Sequence, residues 1–539
     1  MKKTKRICII GGGSSGMTSI KACLEEKLQP ICFEKTDQLG GLWRYRDDTS
    51  DDLASVMKST IINSSKEMSA YSDYPPPKEF PNYMHHSYMI RYIEMYAEKF
   101  DLVQHVRFRH EILKVVENQD PEKNECWKVT IRDIAKGQSF DDFFDGIMVC
   151  SGHHVYPQIP TFPGMESFKG KVLHTHDYKK PDGLGDKKIV IVGIGNSGGD
   201  VAVELSQIAD KVYLSTRSGC WIIPRVGPHG LPFDATFLKR SWNTLWNNAP
   251  YSLLCYISEK YVNTRFNHET YCIKPKHRIF GQHPMVNDAL PNRILSGTVE
   301  LKGNIKEFTE NGVIFEGEDE ELGVDVVILA TGYKIDFPFI DDKIFSVKDN
   351  KVELYKYVFP PKLKHQSLAF IALAQPVGSL LPIGEIQARW FALLMAKKVK
   401  LPPVEEMMDD IKKKHDDQVK RYLENPRYTI QLDWISYMDE IASLINAKLN
   451  LFYLLLTDPN FFRQCFFGPC LPYQFRVSGP HSWGEARRTI MTYNERVFGA
   501  LKTRHLSEKE NVQSWEFFKF LVKALFLILI ALVLSNHVI

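Results

Sequence analysis

Residues 5–35 read KRICIIGGGSSGMTSIKACLEEKLQPICFEK, and the order of residue types in this stretch decides the fold. An apolar run, Ile7 to Ile10, leads into Gly11-x-Gly13-x-x-Gly16; a helical pattern follows, and a second apolar run closes at Glu34. In such a strand, turn, helix, strand frame each glycine has a physical task. Gly11 makes the tight turn, Gly13 lets backbone N–H groups approach a pyrophosphate, and Gly16 lets helix and strand pack closely. The helix N-terminus favours the negative phosphates. Glu34, eighteen residues past the last glycine, can accept from ribose hydroxyls and would repel a 2′-phosphate. The loop Gly11, Gly12, Gly13, Ser14, Ser15 and Gly16, with Glu34, is therefore expected to hold a dinucleotide of the FAD type.

The frame recurs at residues 187–218, KKIVIVGIGNSGGDVAVELSQIADKVYLSTRS, with Gly193-x-Gly195-x-x-Gly198 after the run Ile189 to Val192. Gly193, Gly195, Ser197, Gly198, Gly199 and Asp200 are the expected cofactor-binding residues of this second loop. Its second strand ends in Ser215-Thr216-Arg217, with no acid. A guanidinium there can grip a 2′-phosphate bidentately, which suits NADPH over NADH. A nicotinamide gives its hydride to a partner, and the natural partner is a flavin in the other site. The expectation is a flavoprotein that oxidises NADPH. Gly40-Gly41-Leu42-Trp43 soon after Glu34 reads as a tight turn that lays Leu42 and Trp43 against the dinucleotide; core packing is the other reading of those two side chains.

The chain has 539 residues, too many for one compact core. Lys+Arg 68 against Asp+Glu 65 leaves a net charge of +3, which gives no reason to expect nucleic acid. Ten cysteines are scattered singly, without a C-x-x-C pair, as in reduced, cytosol-facing proteins. RICIIGGG is a strand entering a turn and not a signal peptide. Near the other end, Phe517 to Leu534 is interrupted only by Lys519 and Lys523. As a helix it would run about 27 Å, close to the hydrocarbon thickness. Membrane attachment with the upstream chain in the cytosol is expected, a buried terminal helix being the alternative.

DGIMVCSG (145–152) and DVVILATG (325–332) are similar strand-like runs that bracket the second loop. They read as the points where the backbone leaves the first nucleotide domain and later returns. The expected class is α/β, two Rossmann-like domains with the NADPH domain inserted in the FAD domain, plus a C-terminal membrane helix. The expected division is 1–154 and 331–450 for FAD, 155–330 for NADPH with an irregular elaboration at about 222–297, a loop-rich packing segment at 451–512, and the anchoring helix at 513–539.

Four ordered motifs, Gly11-x-Gly13-x-x-Gly16, Phe168-x-Gly170-x-x-x-His174-x-x-x-Tyr178, Gly193-x-Gly195-x-x-Gly198 and Ala330-Thr331-Gly332-Tyr333, with GPCLPYQFR (468–476) and the apolar tail, resemble the vertebrate flavin-containing monooxygenases. The resemblance covers essentially the whole chain. It implies that NADPH reduces FAD, that O₂ then forms a C4a-hydroperoxyflavin sheltered by bound NADP⁺, and that a soft nitrogen or sulfur of a small xenobiotic-type molecule takes the distal oxygen. The protein need only orient, desolvate and protect. The resemblance assigns the protecting catalytic role to Asn63, flanked by Ile62 and Ser64 at the cofactor, and a place near the NADP ribose to Gln375. Asn63-Ser64-Ser65 also reads as a glycosylation sequon, which a cytosol-facing loop would not use. It further implies small lipophilic amine or sulfide substrates, the endoplasmic reticulum membrane as location, and compatibility with a homodimer.

Many relatives carry tyrosine where this chain has Met57, so uncoupled NADPH oxidation with H₂O₂ release is one alternative. Baeyer–Villiger oxygenation of ketones is another: KPKHRIFGQHP (274–284) resembles the isoform noted for it, whereas dedicated enzymes of that type carry tryptophan in place of Tyr178. A disulfide reductase would need a redox cysteine pair. His174 and His176, two apart, invite a metal reading, but no further ligands stand at metal spacing, and no metal is expected.

Overall fold

The computed structural model describes residues 3–504 apart from 49, 51, 121 and 423–428. Two five-stranded parallel sheets form its frame. The first takes Leu368–Phe370, Gly146–Val149, Arg6–Ile10, Gln29–Glu34 and Val106–Phe108 in that spatial order. The second takes Val299–Lys302, Lys211–Ser215, Lys188–Val192, Val326–Leu329 and Lys171–His174. The central strands are apolar without alternation because both faces of a parallel sheet are covered. Every strand of the second sheet lies in sequence between Gly146–Val149 and Leu368–Phe370 of the first. The two crossings between sheets run side by side as an antiparallel pair, Tyr156–Pro157 against Tyr333–Lys334.

Helix Ser14–Glu25 packs on the first sheet and against helix Leu381–Met395. The latter is buried on nearly every side, which explains its lack of a polar stripe. Helix Asn196–Leu205 takes the equivalent place on the second sheet.

Two expectations need correction. The segment 222–297 is not wholly irregular: it holds helices Phe233–Phe237, Arg240–Asn248 and Tyr251–Val262. In the longest of them, opened by Pro250 at the N-cap, apolar residues lie on both faces and blur the helical period: Tyr251, Tyr256 and Tyr261 are exposed while Leu254, Cys255 and Val262 are buried. Residues 451–499 are likewise helical and not loop-rich, with Leu451–Thr457, Pro459–Phe467, Ala486–Met491 and Tyr493–Gly499. Asn450 Oδ1 accepts from Tyr453 N–H (2.9 Å) and Asp458 Oδ1 from Phe461 N–H (3.1 Å), and Pro459 opens its helix, all start signals legible in sequence. No helix among the described residues is long and apolar enough to cross a membrane; the expected anchoring helix at 513–539 lies outside the described residues.

The segment from Ser65 to Ser72 is buried throughout, though five of its eight residues are Ser, Lys or Glu. Apart from the buried Tyr71 hydroxyl, which has no hydrogen-bond partner among the described residues, its charged groups and Ser72 are met largely from distant parts of the chain. Lys66 Nζ donates to Glu67 Oε1 (3.0 Å) and to the Arg496 carbonyl (2.9 Å). Glu67 Oε2 accepts from Arg496 Nε (2.9 Å) and the Tyr473 hydroxyl (2.8 Å). Ser72 donates through N–H and Oγ–H to Glu385 (2.6 and 2.5 Å), which also pairs with Arg476. Lys66 and Glu67 are 0 and 1 % exposed, so neither charge has water as a substitute partner. Glu67→Gln leaves Lys66 and Arg496 facing each other without their shared carboxylate. A loss of roughly 3–5 kcal/mol, the usual result of breaking a buried pair, is expected in urea unfolding; an unchanged midpoint would contradict this account of the segment.

Candidate active site

The first glycine loop is built from close backbone approach. Gly11 has φ +104°, and a Cβ on it would lie 2.8 Å from the Cys150 carbonyl oxygen. One on Gly16 would lie 2.1 Å from the Gly11 carbonyl oxygen. Neither position tolerates a side chain. Gly11 N–H donates to the Phe33 carbonyl (2.9 Å), and Gly12 N–H to Glu34 Oε2 (2.7 Å). Glu34 Oε1 accepts from the Thr36 N–H (2.9 Å) and hydroxyl (2.8 Å). Glu34 is only 6 % exposed, so its first task is to hold the loop. A carboxylate offers about four lone-pair sites, which leaves it capacity for ribose hydroxyls. The helix beginning at Ser14 has no side-chain cap and no acid in its first turn, so its leading amides are available to a pyrophosphate. Ser15 lies within 3.5 Å of the Cys150 carbonyl.

Gly40 N–H donates to the Gly12 carbonyl (3.1 Å), which sets the Gly40-Gly41 turn over the loop. Leu42 is half-buried, and its carbonyl accepts from Val56 N–H (3.1 Å). Trp43 packs beside buried Ile62, Met84 and Met89. Trp43 is thus a packing residue, set against Ile62, the neighbour of Asn63.

The second loop repeats the construction. Gly193 has φ +109°, a Cβ there would sit 2.6 Å from the Ala330 carbonyl oxygen, and one on Gly198 would sit 2.0 Å from the Gly193 carbonyl oxygen. Gly193 N–H donates to the Ser215 carbonyl (3.0 Å). Around Gly195 there is open space, Ser197 is exposed, and the helix begins with neither a side-chain cap nor an acid. Gly199 and Asp200 face protein instead. A Cβ on Gly199 would meet Met285 Sδ at 2.6 Å, and Asp200 Oδ1 accepts from Asn287 Nδ2 (2.9 Å). Burial pushes the Asp200 carboxyl up to about 6. Arg217, at the end of strand Lys211–Ser215, is exposed and forms no ion pair with the described residues. The two cradles therefore match in backbone and differ in charge: a buried carboxylate at one, an unpaired guanidinium at the other.

Asn63 is half-buried beside Ile62. Its Oδ1 accepts from Arg225 Nη2 (2.6 Å), and its Nδ2 makes no hydrogen bond among the described residues. The Ser64 hydroxyl is committed to that of Ser69 (2.7 Å). Ser65 donates through N–H (2.6 Å) and Oγ–H (3.0 Å) to Asp234, whose carboxyl burial pushes up to about 6. Arg225 and Asp234 both come from the 222–297 segment, where no local sequence signal marks them. Gln375 N–H donates to the Ile430 carbonyl (2.8 Å), and its side chain forms no hydrogen bond with the other site residues. Met57 is 9 % exposed and packs in the core of the second sheet with Tyr178 and Leu184.

His176 uses Nε2 on the Leu53 carbonyl (3.0 Å) and Nδ1 on Asp177 (2.8 Å), and its backbone N–H donates to His174 Nδ1 (3.0 Å). The pair is tied into the junction between the sheets, with both rings against Tyr333. An apolar cavity of about 360 Å³ lies between the 222–297 segment and residues 421–422 and 431–435, lined by Trp242, Trp246, Phe280, Val377 and Trp434 among others. Its volume and apolar lining suit a small lipophilic molecule.

A family described as flavin-binding monooxygenase-like (FMO-like) matches residues 4–536. The chain is 46% identical over 512 residues to flavin-containing monooxygenase 5 of Homo sapiens, covering 95% of this chain and 96% of that one. It is 42% identical over 509 residues to flavin-containing monooxygenase 2 of Homo sapiens, covering 94% and 95%. Among solved structures, S-allyl-L-cysteine S-oxygenase from Allium sativum superposes with a TM-score of 0.63 at 22% identity, covering 91% of this chain and 99% of that one.

Asp234 makes the Asn63 segment pH-sensitive in a defined direction. Its folded-state carboxyl lies above the ordinary 3.8 at about 6, so the folded protein holds this proton more tightly than the unfolded chain. That contribution is fully present below the unfolded value and is lost as pH rises through the folded one. Asp234→Asn removes it. The stability difference between variant and native protein should move in the variant's favour by on the order of 2–3 kcal/mol between pH 4 and pH 8, read by urea unfolding; a difference independent of pH would contradict the assignment.

Proposed function

The chain belongs to the flavin-binding monooxygenase-like family, and from that premise we propose that the Gly11 to Gly16 loop holds FAD, the Gly193 to Gly198 loop holds NADPH, and Asn63 serves the reacting face between them. The enzyme is an FAD-dependent NADPH monooxygenase. FAD supplies the electron transfer and the activation of O₂. The chain's own residues do the remaining work. The uncapped helix at Ser14 receives one pyrophosphate, and the one at Asn196 the other. Glu34 takes ribose hydroxyls on its remaining lone pairs. Arg217 grips the 2′-phosphate. Asn63 Nδ2, without a hydrogen-bond partner among the described residues, donates toward the reacting atoms, and Ile62 and Trp43 keep water away from them. The observation that carries this reading is the matched pair of cradles with opposite charge at their second-strand ends.

The substrates we infer are small lipophilic amines and sulfides, gathered by the apolar cavity; a soft nucleophile needs no acid or base triad, and the site offers none. The FAD domain comprises 1–154 and 331–450, the NADPH domain 155–330, and 451–512 is a packing segment whose Tyr473, Arg476 and Arg496 brace the stretch that follows Asn63. Attachment of 513–539 to the endoplasmic reticulum membrane, with the catalytic domains in the cytosol, is supported by the apolar run of that segment. Homodimerisation is compatible with this arrangement.

Supplying purified full-length protein with NADPH and either a thioether or a linear ketone tests the chemistry. Sulfoxide should form in near-equal amount to NADPH consumed; ester as the main product would instead indicate Baeyer–Villiger oxygenation, and H₂O₂ as the main product an uncoupled oxidase. Met57→Tyr addresses the last outcome, because equal coupling in native protein and variant excludes Met57 as a cause of leakage. Arg217→Ala should raise KM for NADPH roughly 10–100-fold, the size of a lost charge-assisted contact, with KM for NADH unmoved. An equal rise for both would place the 2′-phosphate elsewhere.

A further inference from the structure

Among the described residues, Arg225 alone hydrogen-bonds the Asn63 side chain. The same guanidinium reaches the carbonyls of Ile62 (Nε, 3.3 Å) and Ile61 (Nη2, 3.4 Å). Its own position is fixed on three sides. Arg225 N–H donates to Asp288 Oδ2 (3.0 Å), and that oxygen also lies 4.0 Å from Nη1. Asp288 Oδ1 is held in turn by Arg265 Nη1 (2.9 Å). The Arg225 carbonyl accepts from the Tyr83 hydroxyl (2.6 Å), which itself accepts from Phe233 N–H (3.1 Å).

The anchor Asp288 directly follows a stretch that is bonded to the second cofactor loop. Val286 N–H donates to Asn196 Oδ1 (2.8 Å), and Asn287 Nδ2 to Asp200 Oδ1 (2.9 Å). A continuous set of hydrogen bonds therefore runs from the helix that opens the second cradle, through 286–288, to Arg225 and Asn63.

An asparagine amide is nearly symmetric in shape, and its two ends differ only in hydrogen bonding. A guanidinium has donors and no acceptor. It therefore admits only one orientation of Asn63: oxygen toward Arg225, NH₂ away from it. We propose that Arg225 is a positioning residue for the oxygenation, fixing the Asn63 amide so that Nδ2 and not Oδ1 faces the reacting atoms. Without it the amide can turn over and present an acceptor where a donor is required. This rests on the role given to Asn63 above.

The test combines Arg225→Met, Asn63→Ala and their double variant with two readouts. The first is urea unfolding of the protein without substrate. The double variant's midpoint shift should be clearly smaller than the sum of the single shifts, as for groups in direct contact; additive shifts overturn the contact. The second is H₂O₂ released per NADPH consumed in the full-length holoenzyme. Asn63→Ala and Arg225→Met should each raise it roughly tenfold, the scale of one charge-assisted hydrogen bond, and the double variant no further. A rise with Asn63→Ala alone, or multiplicative rises in the double variant, overturns the positioning role. No rise with Asn63→Ala overturns the reading of Asn63 itself and this proposal with it, a result distinguished by that variant alone. Should Arg225→Met not fold, Asp288→Asn loosens the anchor without touching Asn63. It should give an intermediate rise, and a native level would count against the proposal.

Discussion

The structure turns on the buried polar segment from Asn63 to Ser72. Its backbone is held by nearer parts of the chain, Lys66 N–H on the Asn82 carbonyl (2.7 Å) and Tyr71 N–H on the Tyr92 hydroxyl (2.8 Å), while the partners of its other polar groups arrive from four remote places. Arg225 and Asp234 come from the 222–297 segment, Glu385 from the helix behind the first sheet, Tyr473 and Arg476 from the stretch before the last helices, and Arg496 from the final one. A buried charge left without its partner costs several kcal/mol. The segment is therefore in place only when all four have docked, so the site is completed by the tertiary fold as a whole and not by either nucleotide cradle alone.

The cradles rest on a second constraint, steric and local. In each, the third glycine faces the carbonyl of the first at a distance that excludes a Cβ, and the first faces the carbonyl of the neighbouring parallel strand. This close approach brings the helix N-terminus up to the strand ends, where phosphate binds. Specificity is then a matter of charge at the second strand's end. Glu34 is buried and engaged with the loop, while Arg217 is exposed and unpaired. On the proposed assignment of FAD to the first loop and NADPH to the second, one backbone design serves two cofactors with opposite preferences for a 2′-phosphate.

Local features were the ones legible in the sequence: glycine spacing, the acid or base at fixed distance, and continuous apolar runs for parallel strands. They located both glycine-rich turns, and the resemblance carried by four ordered motifs gave the family. The helix at 251–262 escaped because apolar residues occupy its exposed as well as its buried face, which blurs the period, whereas that at 240–248 was missed although Trp242, Leu245 and Trp246 stand at helical spacing. Those at 451–499 were missed although Asn450, Asp458 and Pro459 announce them. Gly199 and Asp200 belong to the fingerprint by spacing, yet they pack against Met285 and Asn287. The histidine pair was not expected to hold a metal; what spacing alone could not reveal is that Leu53 and Asp177 occupy the His176 ring. Arg225 and Asp234 had no local signal at all: 162 residues separate Arg225 from Asn63 and 169 separate Asp234 from Ser65, and only the tertiary structure brings them together.

The central claim is that two charged-end cradles and one oriented amide make an enzyme that holds activated oxygen for a soft nucleophile. Stopped-flow absorbance tests it most directly, with anaerobic, NADPH-reduced full-length protein mixed with O₂ and no substrate present. The account predicts that the spectrum of oxidised flavin returns slowly, over many turnover times, and that adding a thioether accelerates its return while sulfoxide forms. Immediate reoxidation with stoichiometric H₂O₂, unaffected by the thioether, would contradict it.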